Sequence, residues 1–238
     1  MRVGIFDSGR GGEAALRRLT ELAPSVDAVL YCDRENAPYG TKTQDELVRL
    51  VKEDVRILRD LGAKIILMAC CTASTVWHLL PDGDRSITIP IIYPTAKRAV
   101  RESLGHIAVI ATTHTAKSGA FGENIARAAE EISRKAPPRV TEIATQPLVS
   151  LVECGERDGR LSERGREVIT EITDEIRELG ADTLILGCTH FSHLECEIGR
   201  RLPDTCVISA AREGAVALTK IMKNINGSSD RNGRTVYL

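Results

Sequence analysis

The chain has 238 residues, 42% of them hydrophobic and 27% charged, enough to bury one large core or two smaller ones. Lys+Arg 32 against Asp+Glu 33 leaves a net charge of −1 with no basic run, which disfavours a nucleic-acid partner or an anionic membrane. No apolar stretch approaches the roughly 20 residues needed to span a bilayer, and no charged-then-apolar leader precedes the first apolar run, so a cytoplasmic protein is expected.

In chain order, short apolar runs at 3–6, 28–32, 65–70, 89–93, 107–112, 140–144, 184–188 and 207–209 read as strands. Between them, 44–61, 117–133, 163–179 and 213–223 carry apolar residues three and four apart with charged faces outward, and read as helices. Their alternation predicts an α/β fold with mostly parallel sheets flanked by helices. Pro137-Pro138 and Gly227-Ser228-Ser229 read as turns, the second leading to a last extended piece at 235–238.

One internal echo organises the rest. KIILMACCTAS at 64–74 is answered by DTLILGCTHFS at 182–192, each an apolar strand ending in a cysteine, Cys70 or Cys188, with a threonine close behind. The two cysteines are about half a chain apart, and the opening strand with Asp7 and Ser8 is likewise answered by 107–112. Duplicated, pseudosymmetric lobes follow, with both cysteines just beyond strand carboxyl ends, where open α/β sheets place ligands. The active site is therefore expected between the lobes.

Inverting an α-carbon requires a proton to leave one face and another to arrive on the opposite face, so two bases must flank it. Cys70 and Cys188 each lie where a strand gives way to a helix, a setting that tunes a thiol's proton affinity. Threonine hydroxyls and the amides of a helix start suit a carboxylate, and they support the charge that builds as the α-proton leaves. Asp7, Ser8 and His190 are placed to orient the thiols or shuttle protons. Against this, free cysteine often ends a core strand simply as a small hydrophobe. The duplicated setting argues otherwise for Cys70 and Cys188; Cys32, Cys154, Cys196 and Cys206 lack it and read as structural. The odd count of seven cysteines, mostly in or beside apolar runs, suits reduced thiols.

Two other readings start from local motifs. Gly9-Arg10-Gly11-Gly12-Glu13-Ala14 fits G-x-G-x-x-A after a strand, with Asp33 where a ribose-binding acid would lie, although these glycines equally suit a tight turn. Cys188, His190, His193 and Cys196 offer four metal ligands, in a spacing that matches no common zinc pattern. A lone His193 otherwise reads as a surface residue.

Longer motifs carry a resemblance. Phe6-Asp7-Ser8-Gly9-Arg10-Gly11-Gly12 resembles F-D-S-G-x-G-G, Pro38-Tyr39-Gly40-Thr41-Lys42 resembles P-Y-G-T-K, and Gly187-Cys188-Thr189-His190 resembles G-C-T-H. Ala69-Cys70-Cys71-Thr72-Ala73 is similar to A-C-N-T-A, the turn at 112–118 to T-x-x-T-x-K-S, and 147–153 to P-x-V-x-L-V-E. These are motifs of the cofactor-independent glutamate racemases of the aspartate/glutamate racemase superfamily, and the resemblance runs nearly end to end. It implies two lobes, 1–93 with 210–238 and 94–209, substrate between them, a homodimer, and neither metal nor other cofactor. It implies that Cys70 takes the α-proton from the D-enantiomer and Cys188 from the L-enantiomer, with Asp7, Glu153 and His190 assisting. Ser8, Thr72, Thr115 and Thr189 would hold the α-amino and α-carboxylate groups, and Tyr39 and Gly40 the side-chain carboxylate. The implied role is supply of D-glutamate for cell-wall peptidoglycan precursors.

The sequence departs from that pattern where substrate would sit. Cys71 stands at the asparagine, Gln146 at a cysteine before Pro147, Ser192-His193 at P-L, and Ser209-Ala210 where an aspartate is usual. A thiol is a weaker donor than an amide, so Cys71 alters the substrate-binding wall. Aspartate or another substrate of a related isomerase, and a catalytically silent amino-acid-binding protein, are the alternatives to glutamate racemisation.

Overall fold

A computed structural model describes residues 1–226 and 235–237. The turn read at Gly227-Ser228-Ser229 lies outside the described residues, as does Leu238. The strands are β1 (Arg2–Asp7), β2 (Asp27–Cys32), β3 (Ile65–Met68), β4 (Thr88–Pro90), β5 (His106–Ala111), β6 (Arg139–Ala144), β7 (Thr183–Gly187), β8 (Cys206–Ser209) and β9 (Thr235–Tyr237). The helices are α1 (Gly12–Leu22), α2 (Gln44–Asp60), α3 (Cys71–Ser74), α4 (Asp82–Arg85), α5 (Ile92–Glu102) and α6 (Thr113–Ser118). After them come α7 (Ala120–Glu131), α8 (Gln146–Glu153), α9 (Glu163–Glu178), α10 (Glu195–Arg201) and α11 (Ala210–Asn226).

The strands form two sheets, ordered β4-β3-β1-β2-β9 and β6-β5-β7-β8, and every pairing is parallel. Read from its other edge, the second sheet runs β8-β7-β5-β6, the same order as β4-β3-β1-β2. The duplication seen in the sequence is thus a duplication of topology. In each sheet the chain first builds to one side of its opening strand and then crosses to the other. The switch points lie between β1 and β3 and between β5 and β7, where the crevice beyond the strand ends is open to a ligand. Cys70 follows β3 and Cys188 follows β7.

Three corrections to the expected elements have local causes. The run 65–70 leaves the sheet at Met68, because Cys70 turns extended to cap α3. The run 89–93 is a strand only to Pro90: Ile92 and Tyr93 already belong to α5, where Ile92 is buried by helix packing rather than sheet pairing. The helix read at 117–133 is two helices, α6 and α7, parted by Gly119 in the left-handed region at φ 68°. The long helix α2 starts on a reciprocal cap, Thr43 Oγ1 accepting the Glu46 N–H while the Glu46 carboxylate accepts the Thr43 N–H.

Packing ties the sheets together. One continuous apolar cluster takes Val3, Ile5 and Leu67 from the first sheet, Ile107, Val109 and Ile185 from the second, and Leu16, Ala96 and Leu218 from helices. Helix α11 touches strands of both sheets. Separate clusters cover the outer faces, under α2 on the first sheet and under α8 and α9 on the second. Among the described residues, no helix is long and apolar enough to cross a membrane.

Gly187, the last residue of β7, shows how tightly this core holds Cys188. A Cβ there would lie 2.9 Å from the Ile110 carbonyl oxygen of the neighbouring strand and 2.9 Å from Phe121 Cε2. The strand backbone has nowhere to retreat. Gly187→Ala is expected to cost about 1–3 kcal/mol by overpacking, read as a lower denaturant midpoint at unchanged slope; a wild-type midpoint would show that the strand yields freely.

Candidate active site

A cavity of about 350 Å³ opens beyond the carboxyl ends of the two sheets. From the first sheet's side it is lined by Ser8, Tyr39, Gly40, Cys70, Cys71 and Thr72. From the second it is lined by Thr112, Gln146, Glu153, Cys154, Cys188, Thr189 and His190. Both thiols of the duplicated motif therefore face one space. Of the residues singled out from the sequence, Asp7 and Thr115 are fully buried and reach the cavity only through other side chains.

Two seams of hydrogen bonds cross between the sheets. In the first, Thr189 donates from Oγ1 to Asp7 Oδ2 at 2.7 Å, the Gly9 N–H donates to Asp7 Oδ1 at 2.8 Å, and the Arg10 N–H donates to Glu153 Oε1 at 3.3 Å. Gly11 stands so close that a Cβ would come within 2.1 Å of Thr189 Oγ1. Its φ of −61° is open to any residue, so clearance between the loops, and not the tight turn read from the sequence, demands glycine there. In the second seam Thr72, Thr112 and Thr115 form a triangle of hydroxyls, with Oγ1 separations of 2.9, 2.9 and 3.1 Å.

The two thiols sit in different electrostatic surroundings. Cys70 Sγ accepts the Ala73 N–H at 3.5 Å and meets Ser8 Oγ at 3.6 Å. Burial pushes its thiol up to about 12, with the Asp7 charge adding and those two hydrogen bonds offsetting part. Cys188 Sγ instead meets His190 Nδ1 at 3.6 Å, and His190 Nε2 bonds Glu153 Oε1 on its other side. Burial alone would lower the imidazole, but the hydrogen bonds to Cys188 and Glu153, with the Asp7 charge, outweigh it and hold His190 well above its ordinary value. His190 in turn holds the Glu153 carboxylate below the usual range. A cation is thus fixed beside the Cys188 sulfur, while burial lifts Asp7 and keeps Cys70 and Cys71 protonated.

Behind the 3-10 turn Tyr39–Thr41, the Tyr39 hydroxyl is 2.6 Å from Asp33 Oδ2 and 2.9 Å from Asp54 Oδ2. One phenolic proton cannot serve two carboxylates. Burial raises Asp54 to about 8, so at neutral pH its own proton supplies the second bond. This bonding spends the Tyr39 hydroxyl inside the first sheet's core, away from any substrate. It also engages Asp33, whose carboxylate additionally accepts the Asn36 amide at 3.0 Å, and so removes the ribose-binding acid of the dinucleotide reading.

The metal reading fares no better. Cys196 is exposed, His193 is half-buried with Nε2 3.4 Å from the Arg10 carbonyl oxygen, and no metal-holding group of three or more His, Cys, Asp or Glu occurs among the described residues. All seven cysteines are free. Cys154, read as structural, is exposed and lines the cavity. Asp54 carries no sequence reading, Thr112 enters only as the start of the turn at 112–118, and Gln146 only as a departure where substrate would sit. Thr112 could have been found as the counterpart of Ser8 after the matching strand, and Asp54 as a carboxylate on the face of α2 that buries Leu50, Val51, Val55 and Leu58.

Two measurements check this electrostatic picture. The ring protons of His190 should titrate in NMR well above the free-imidazole value of about 6.5, and Glu153→Gln should bring that titration down; an ordinary titration in both proteins would sink the imidazolium assignment. A neutral folded Asp54 ionises only near 8, whereas the unfolded carboxyl ionises near about 3.9. The folded state therefore loses stability as pH rises between those values and no further above them. Asp54→Asn keeps a neutral partner for Tyr39, so its advantage over wild type in denaturant melts should grow up to about pH 8; parallel pH profiles would overturn the neutral carboxyl.

Comparison with known proteins agrees with this geometry. The model of the Asp/Glu/Hydantoin racemase family matches residues 9–218. A glutamate racemase of Aquifex aeolicus (strain VF5) is 36% identical over 233 residues, 96% of this chain and 86% of that protein. One of Desulforudis audaxviator (strain MP104C) is 36% identical over 234 residues, 97% of this chain and 82% of that protein. The crystal structure of a glutamate racemase isoform from Bacillus anthracis superposes with a TM-score of 0.81 at 27% identity, covering 99% of this chain and 86% of the other. With a shared two-sheet fold and matches over nearly its whole length, the chain belongs to the Asp/Glu/Hydantoin racemase family.

Proposed function

We propose that this protein interconverts L- and D-glutamate without a cofactor, one thiol removing the α-proton and the other returning a proton to the opposite face. The observation that carries the reading is that Cys70 and Cys188, at equivalent switch points of two equally ordered sheets, line one cavity. The relatives named glutamate racemases at 36% identity supply the substrate.

In the direction from the L-enantiomer, the Cys188 sulfur beside the His190 imidazolium takes the α-proton. Cys70, protonated because burial lifts it to about 12, gives its proton to the opposite face. From the D-enantiomer the roles reverse. Charge spreads onto the α-carboxylate as the proton leaves, and the Thr72 hydroxyl meets it as a donor, Thr115 acting through Thr72. Ser8 and the Thr189 oxygen, whose proton goes to buried Asp7, serve the α-ammonium end, and Asp7 assists through Thr189. Cys71 adds a neutral wall. Gly40 and the backbone of Tyr39 receive the side-chain carboxylate. The lobes that flank the substrate comprise 1–93 with 210–238, and 94–209. Assembly as a homodimer, a cytoplasmic location and supply of D-glutamate to peptidoglycan precursors go with this reading.

L-Glutamate incubated with the pure protein in deuterated water should lose optical rotation and gain α-deuterium, and Cys70→Ala or Cys188→Ala should each cut racemisation by at least about 10²-fold. Retained rotation and α-protium for glutamate and aspartate alike would refute the proposal, whereas activity on aspartate alone would move the substrate and keep the chemistry.

A further inference from the structure

Among the described residues, neither lysine nor arginine lines the cavity. Of its charged side chains, Glu153 has the wrong sign for a carboxylate, and His190 is committed to Cys188 and Glu153. Any ligand with two carboxylates must therefore be met by neutral donors. The hydroxyl of Thr72 serves one end, and the other end needs its own donor.

Gln146 stands at the first position of α8, on the second sheet's side of the cavity. Its Oε1 accepts the backbone N–H of Thr113 at 3.2 Å. An N–H can meet only an acceptor, so this contact decides how the amide faces: oxygen toward Thr113, NH2 away from it. That NH2 makes no hydrogen bond to any described residue. Opposite lies Gly40, so close that a Cβ there would come within 2.9 Å of Gln146 Oε1 and 2.8 Å of Thr112 Cβ. The Gln146 amide is thereby held against the very segment, Tyr39 with Gly40, that our functional reading assigns to the side-chain carboxylate.

We propose that Gln146 is a specificity-determining residue, its side-chain NH2 donating from the second sheet's side to the distal carboxylate of an acidic amino acid. This rests on the amino-acid racemase reading for the ligand's orientation. Donor and Gly40 come from opposite walls, so the distal carboxylate bridges them and draws the cleft together. A site that ends in an N–H donor rewards a carboxylate oxygen and penalises a ligand that brings a second NH2 instead.

The test is Gln146→Glu, which keeps the shape and the acceptor for the Thr113 N–H while exchanging the donor for a like charge. Calorimetric binding of L-glutamate at pH 8 should weaken at least tenfold, with binding of L-glutamine unchanged or tighter, so the ratio of the two Kd values moves by more than tenfold. In turnover the loss should fall on KM, with kcat within about threefold of wild type, the sign of an interaction made equally in ground and transition states. Gln146→Ala should weaken L-glutamate less than Gln146→Glu does. Unchanged glutamate binding in Gln146→Glu, or an equal loss for glutamate and glutamine, overturns the proposal. Because binding is read apart from turnover, an inactive wild type would count against racemisation alone and leave the Kd ratio to decide the role of Gln146.

Discussion

The site depends on how closely two loops approach. Thr189, just past one strand end, reaches over to Asp7 at another with a 2.7 Å hydrogen bond, and at position 11 between them there is no room even for a methyl group. Asp7 is fully buried, a costly place for a carboxyl, and it is sustained there by the Thr189 hydroxyl and the Gly9 amide. This contact sets the width of the crevice. Were the loops a side chain further apart, the walls that carry Cys70 and Cys188 would part with them.

Symmetry of topology coexists with asymmetry of charge. The two thiols occupy equivalent places after β3 and β7, yet Cys70 is surrounded by an amide, a hydroxyl and a buried carboxyl, whereas Cys188 faces an imidazole that Glu153 holds from behind. A two-base inversion needs one partner to arrive with a proton and the other without. Identical halves would offer two of the same. The divergence of the short sequences after each cysteine, Cys-Thr-Ala in one and Thr-His-Phe in the other, is what gives the two thiols these different neighbours.

Much of this was readable along the chain, since the strand-then-cysteine echo is a local pattern and its spacing carries the topology. What escaped reading is what only the third dimension assembles. Asp33, Tyr39 and Asp54 lie on three separate elements and meet through burial of one phenol. Thr112 is legible as the start of a turn and Gln146 as a departure before Pro147, but the role of each comes from a neighbour far along the chain. Strand ends were misjudged where apolar residues continue past the sheet: Ile92 is as apolar as the strand before it, but is buried in a helix. Residues 117–133 have helical periodicity throughout, and only the backbone angle of Gly119 reveals the break. The glycines after β1 were recognised, though for turning rather than for clearance.

The apolar cluster shared by the two sheets has a bearing on how the molecule comes apart. Ile107, Val109 and Ile185 of one half lie in the same continuous oil as Val3, Ile5 and Leu67 of the other, with α11 laid against both. Neither half excised alone would keep that face dry. A protein that repeats itself in sequence is thus welded in its folding and melts as a single cooperative body.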